Sequence, residues 1–267
     1  MNMITLTYLD LLILSSLVVL MGILLLMNGF TQVKQYWWAN IRMVVQLLFM
    51  GVWLSWVFFA ENWIWVALVG FIMLTAAGYE IAKRQHYTFK RGYSILIGLF
   101  SISLTALLLL VGVLIFIIQP EPWHQAQYAI PLLGMLLGNS MTAIGLGLDN
   151  LTRNAVQLKA QIEAQLALGK TAKQAMLFIR QQSLHTAMIP VINMLVAAGI
   201  ISLPGMMTGQ ILAGTDPAEA VKYQILVMFL VASSTAMGTI IAVHFASRRL
   251  FDARQRLRLD QLVKRGS

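Results

Sequence analysis

The stretch "EAQLALGKTAKQAM", from Glu163 to Met176, holds the chain's one Gly-Lys-Thr run and is the first place to look for chemistry. A phosphate-cradling loop has the form G-x-x-x-x-G-K-[ST] and follows a strand. Here Ala164 occupies the first glycine position, and helical periodicity precedes Gly169 where a strand is required. No ATP site is expected in this chain. The remaining candidates are hydroxyl, amide and thioether groups inside apolar runs: Asn139, Ser140, Met141 and Thr142, then Asn193, then Met206, Met207 and Gln210. Such groups can line a path for a polar solute without holding it tightly. Of the sixteen methionines, Met141, Met206 and Met207 are the candidates to touch a metal. Thioethers suit soft cations, however, and ferric iron prefers oxygen. No tightly bound metal is expected, because no His, Asp or Glu cluster has ligand spacing and cysteine is absent. No nucleophile and base fall within the apolar runs, so the chain reads as a conduit and not an enzyme.

The elements that must position these residues follow from composition. Hydrophobic residues make up 59% of 267 positions and charged ones 11%, with a mean hydropathy of +0.76. This is the composition of a membrane protein. A helix needs about 20 apolar residues to cross a hydrocarbon core of roughly 30 Å. Seven spans are predicted, at 8–27, 43–60, 63–82, 93–118, 129–148, 186–203 and 223–245. They must be helical, because backbone polar groups facing lipid have to be satisfied within the segment and the runs lack the alternation of a barrel. The fold class is all-α and polytopic, a single transmembrane domain over 1–267 with an elbow at 149–185 and a basic tail at 246–267.

Charge sets the expected orientation. Lys34 and Arg42 lie between the first two spans, Lys83, Arg84, Lys90 and Arg91 between the third and fourth, and five more basic residues after the fifth. Seven follow the last span, and Lys222 alone falls on the other side. The positive-inside rule then places the N-terminus outside and the C-terminus in the cytoplasm. The net charge of +9 reflects this topology and contact with anionic lipid, with no nucleic-acid partner. Span 1 reads as a retained helix, since no basic region precedes it. Residues 28–40 are expected as an amphipathic elbow along the inner interface, and Trp53, Trp56, Phe58, Phe59, Trp63 and Trp65 as an outer aromatic belt. Gly134 and Gly138 have the spacing that lets helices approach closely. "LPGMMTGQ" breaks the helix near the outer end of span 6 and marks a gate.

The connection at 149–185 reads as two helices and a bend. Leu151, Ala155, Leu158, Ile162 and Leu166 form one apolar face, Gly169 is the stop, and Thr171 with Gln174 forms a capping box. A plain linker between spans would be short or disordered.

Glu163, Ala164, Gln165 and Gly169 resemble the E-A-A-x-x-x-G start of the cytoplasmic loop of ABC-transporter permeases, with Gln165 in place of the second alanine and no I-x-L-P after it. The wider runs "LLGNSMTAIGLGLDNL", "EAQLALGKTAKQA", "MIPVINMLVAAGIISLPGMMTGQILAGTDP" and "VKYQILVMFLVASSTAMG" resemble the FetB-type permease family over about 131–251. The resemblance implies a permease subunit of an ABC transporter in the bacterial inner membrane, exporting iron and contributing to metal homeostasis and peroxide resistance. It also implies a separate FetA-type ATPase carrying ATP and Mg, a permease homodimer, and Glu163, Ala164 and Gly169 as the residues that couple to that ATPase. Related plant proteins tied to aluminium tolerance leave the substrate open. Import, another substrate, or a secondary transporter driven by an ion gradient are the alternatives.

Overall fold

The structure, a computed structural model, describes residues 7–60 and 62–264. The expected spans form helices whose ends follow local chemistry. Helix α1 (Tyr8–Met27) starts at a capping box between Thr7 and Asp10 and ends before Gly29, which has a φ of 74°. Helix α2 (Val33–Ala60) begins ten residues ahead of the expected span. Residues 33–40 are therefore its first turns and not a separate interfacial elbow. Helix α3 (Trp63–Lys83) and strand β1 (Tyr87–Phe89) lead to α4 (Tyr93–Val113), which a π turn extends through Leu114–Ile118. Helix α5 (Ala126–Gln157) is followed by α6 (Lys159–Ala167), α7 (Ala172–Ala175), α8 (Leu177–Ala197), α9 (Gly205–Leu212), α10 (Pro217–Arg249) and strand β2 (Leu262–Lys264).

Six of the described helices are long and apolar enough to cross a membrane: α1, α2, α3, α4, α5 and α10. The exception is the expected sixth span. Helix α8 starts at Leu177, carries Arg180, Gln181, Gln182 and His185 in its first half, and stops at Ala197. Its apolar part from Thr186 covers only about 18 Å at 1.5 Å per residue. The chain then breaks over 198–204, earlier than the expected break at Pro204. Gly199 adopts a φ of 86° there. Its N–H donates to the Ser202 carbonyl at 2.9 Å, and the Ser202 N–H donates to Ala197 at 3.0 Å. This small loop satisfies part of its own backbone while leaving Ile200 92% exposed.

The chain divides into two compact units. One comprises α1 and α2 with Leu212–Gly214. Within it Gly22 of α1 faces the indole of Trp37 on α2, so any side chain at that glycine would collide with the ring. The other runs over Trp63–Ile211 and from Thr215 onward. In that unit α5 is central and packs against α3, α4, α8 and α10. Ile81, Ile102, Leu136, Ile144, Leu148 and Leu151 are fully enclosed between them.

Close helix approach falls at glycines other than the expected pair. A Cβ at Gly138 would meet nothing within 4 Å, and one at Gly134 only the tip of Met73. At Gly147, by contrast, a Cβ would lie 3.1 Å from Thr239, 3.3 Å from Ala187 and 3.4 Å from Val243. Helices α5, α8 and α10 meet at this point because α5 offers no side chain there.

Candidate functional site

The elbow is built by local rules. Helix α5 continues past its apolar run to Gln157, bends at Leu158 (ψ 23°) and resumes as α6. The bend turns Leu151, Ala155 and Ile162 inward, all fully buried, so the expected apolar face is the one that packs. The opposite face of α6 exposes Glu163 and Ala164. Glu163 makes a loose ion pair with Lys159 at 3.8 Å, a contact of small energy between exposed groups.

Gly169 ends α6 with a φ of 82°. Its N–H donates to Leu166 at 3.0 Å and that of Lys170 to Gln165 at 3.1 Å, the paired closure in which a left-handed residue satisfies the last carbonyls of a helix. Two residues on, the Gln174 Oε1 accepts from the Thr171 N–H at 2.9 Å, and Thr171 Oγ1 accepts from the Gln174 N–H at 3.4 Å. A closed stop and a closed start thus fix the tip, with Leu168 81% exposed on it. The arrangement is a firm hairpin tip, with helix α6 and not a strand leading into Gly169.

Two connections reach this hairpin that periodicity did not reveal. At the end of α3, the His86 N–H donates to Asp149 Oδ1 at 2.6 Å, and Arg153 binds the other oxygen of that carboxylate at 2.8 Å. Asn150 Oδ1 accepts from both Asn154 and Ser183, joining α5 to α8. The C-terminal tail supplies the second. Asp252 Oδ1 accepts from the N–H groups of Arg254 and Arg256, and Gln255 Oε1 then accepts the Ala172 N–H at 2.8 Å, at the start of α7. Hydrogen bonding, first from the Arg256 backbone, holds the Asp252 carboxyl below its usual range. Further on, Arg258 grips Asp260 with two bonds of 2.8 Å and pulls its carboxyl down to about 2. Strand β2 then pairs antiparallel with β1, Phe89 opposite Leu262 and Tyr87 opposite Lys264. The tail therefore links the elbow to the α3–α4 connection. One signal could have flagged the first link: Asp149 is the sole acidic residue between Glu121 and Glu163, and it stands where the apolar run ends.

The intramembrane residues are only partly brought together. Ser140 is fully buried, its hydroxyl 3.1 Å from that of Ser234 and 3.4 Å from that of Thr235, forming a seam between α5 and α10. Asn139 bonds back to the Met135 carbonyl at 2.9 Å. Thr142 accepts from Arg84 at 3.2 Å, which ties α3 to α5. Met141 and Met206 pack against the apolar core. Asn193 is exposed on a face of α8 that it shares with Ile189, Ile192 and Val196. Met207 is half-buried, and the Gln210 Oε1 is enclosed without a hydrogen-bond partner among the described residues. Among those residues no three His, Asp or Glu side chains are grouped so as to hold a metal.

Fold and elbow together define a polytopic α-helical membrane protein with a rigid helical hairpin at its basic end. The chain belongs to the uncharacterised protein family UPF0014, whose model matches residues 8–251. It is 34% identical to the probable iron export permease protein FetB of Escherichia coli over 87% of each chain. It is 33% identical to the UPF0014 membrane protein YjkA of Bacillus subtilis, over 84% of this chain and 87% of that one. The Arabidopsis thaliana protein ALUMINUM SENSITIVE 3 is 32% identical over 76% of this chain and 72% of its own. No solved structure matches the chain.

Proposed function

We propose that this chain is the membrane-spanning permease subunit of an ABC transporter that exports iron, driven by ATP hydrolysed on a separate cytoplasmic ATPase with bound Mg. The observation that carries the reading is the elbow tip. Gly169 and the Thr171–Gln174 box hold it rigid, and Glu163, Ala164 and Leu168 stand exposed on it. A permease without a nucleotide site must receive work through a surface of this kind, and a flexible loop would dissipate the push. Similarity to a protein named as an iron export permease supports the class and the cargo. The basic end then faces the cytoplasm of a bacterial cell and the N-terminus lies outside.

Two copies are proposed to work with two ATPases. The exposed face of α8, where Asn193 stands among Ile189, Ile192 and Val196, suits a second copy, since an amide facing lipid is disfavoured. The path runs beside that face and past Asn139, Ser140, Met141, Thr142, Met206, Met207 and Gln210. Its hydroxyl and amide oxygens match a hard cation better than a soft one. The plant relative's name, which refers to aluminium, favours a second cargo of the same hard character.

The test is metal flux in liposomes holding this chain with its ATPase, comparing ferric iron, aluminium and a soft cation, with and without ATP. Iron movement only with ATP and an active ATPase is expected. Uphill transport by the chain alone would refute the reading and favour an ion-gradient mechanism.

A further inference from the structure

Between the elbow and the end of α10 lies a cavity of about 630 Å³ with an unbalanced charge. Lys173 and Arg180 line it from α7 and α8, and His244 and Arg248 from α10. Asp252 is its carboxylate, and that group is already engaged by Arg256 at 2.9 Å and by two backbone N–H groups. Among the described residues, Lys173, Arg180 and Arg248 have no ion-pair partner. The Arg180 Nε is enclosed and has no acceptor among the described residues. A shielded guanidinium donor without an acceptor is costly, and so is a group of cations facing one another. Both point to an anion.

The depth of the cavity indicates which anion. Arg180 is one turn ahead of Ser183, which bonds to Asn150, two residues past Leu148 at the end of the uncharged run of α5. Arg248 lies three residues past Phe245, at the end of the apolar run of α10. The cationic groups thus sit at the edge of the apolar layer, where lipid phosphates are found. Three residues ahead of Arg180 on α8, and so on a neighbouring face of the helix, Leu177 is 50% exposed. An exposed apolar side chain next to unpaired cations suits an amphiphile, and a free inorganic anion has no use for it.

We propose that this cavity binds the phosphodiester headgroup of an anionic membrane lipid, with the acyl chains running past Leu177, and that the bound lipid clamps the elbow to the end of α10. This site is independent of the transport reading, because its test reads binding and not flux. The experiment uses the full chain in detergent, stripped of lipid, with phosphatidylglycerol, phosphatidylcholine or inorganic phosphate added at equal concentration. Native mass spectrometry reads occupancy, and thermal unfolding reads stabilisation. One phosphatidylglycerol per chain should be retained and should raise the unfolding temperature, while phosphatidylcholine and phosphate should not. Removing one interfacial cation should weaken binding about fivefold. Arg248→Gln, at an exposed position, should therefore show that loss, and Arg180→Gln with Arg248→Gln at least tenfold. Arg254→Gln, in the tail but outside this cavity, is the control for non-specific attraction and should change binding less than twofold. Equal retention of phosphatidylcholine, equal stabilisation by phosphate, or equal loss in the Arg254→Gln control would each overturn the proposal. Unchanged lipid binding by Arg248→Gln, accompanied by loss of ATPase association, would assign the cations to a protein partner and overturn it as well.

Discussion

Replacing Gly169 by valine puts a β-branched residue at a φ of 82°. Since a Cβ there would meet nothing within 4 Å, the penalty is one of backbone conformation alone. A left-handed L-residue costs about 1–2 kcal/mol, which lowers the ratio of closed to open tip by roughly 5–30-fold. The bonds from Gly169 to Leu166 and from Lys170 to Gln165 should open accordingly. In hydrogen exchange, amides 168–170 and 174 should lose protection by about that factor while those of α5 stay unchanged. In liposomes with the ATPase, hydrolysis should continue while metal flux falls at least fivefold. Gly169→Asn is the diagnostic companion, because asparagine tolerates the left-handed region and should retain most of the flux. Wild-type protection and flux in Gly169→Val would refute the argument. Equal damage from asparagine would show that bulk at the tip matters and conformation does not.

Gln255→Ala removes the acceptor for the Ala172 N–H and should loosen the tail from the elbow by about 1 kcal/mol, read as faster exchange at Ala172 and earlier proteolysis within 252–264. Gly147→Val drives a side chain into Thr239, Ala187 and Val243 and should destabilise the packing of α5, α8 and α10 by about 1–3 kcal/mol, seen as a lower unfolding temperature with membrane insertion retained. The tail contacts should also depend on acid. The folded-state values of Asp252 and Asp260 lie below the ordinary 3.8, Asp260 at about 2, so their contribution is present above the ordinary carboxylate range and is lost only as the pH falls below it, for Asp260 through about 2. Tail protease sensitivity should be flat from pH 7 to 5 and rise only below pH 4, and a rise centred near pH 6 would exclude these carboxylates as the cause.

The parts of the elbow that sequence reading captured are those set by short-range rules. Gly169, the Thr171–Gln174 box and the apolar stripe from Leu151 to Ile162 each depend on neighbours within about one helical turn, so residue type and spacing suffice. Hydropathy likewise placed α1, α3 and α4 close to their observed ends. It misjudged α5, α8 and α10 because these helices continue beyond the apolar layer on polar residues such as Asn150, Arg180 and Arg248, which a hydropathy window reads as the end of a span. The tail is unreadable for a different reason: strands of three residues paired across 87–89 and 262–264 carry no periodicity, and the bond from the Ala172 N–H to Gln255 joins positions 83 apart. The seam at Ser140 was flagged as polar, but only packing reveals that it faces Ser234 and Thr235 while Asn139 turns back on its own helix. The glycine pair at 134 and 138 matches a spacing rule, yet the crossing falls at Gly147, where the side chains of Thr239, Ala187 and Val243 arrive.

Helix α8 follows α7 after the single residue Met176 and then runs from Leu177 to Ala197 with Pro190 inside it, a length of about 30 Å. It is braced midway where Ala187 rests on Gly147, and it ends at the Gly199 loop, which has no helical stiffness to carry force further. A sideways nudge at the tip would therefore pivot about that brace and swing the far end, near Asn193, in the opposite direction. The same geometry would make a lever of the helix and a joint of the break, so a push at the tip would reach the far end of α8 and need not pass into α9.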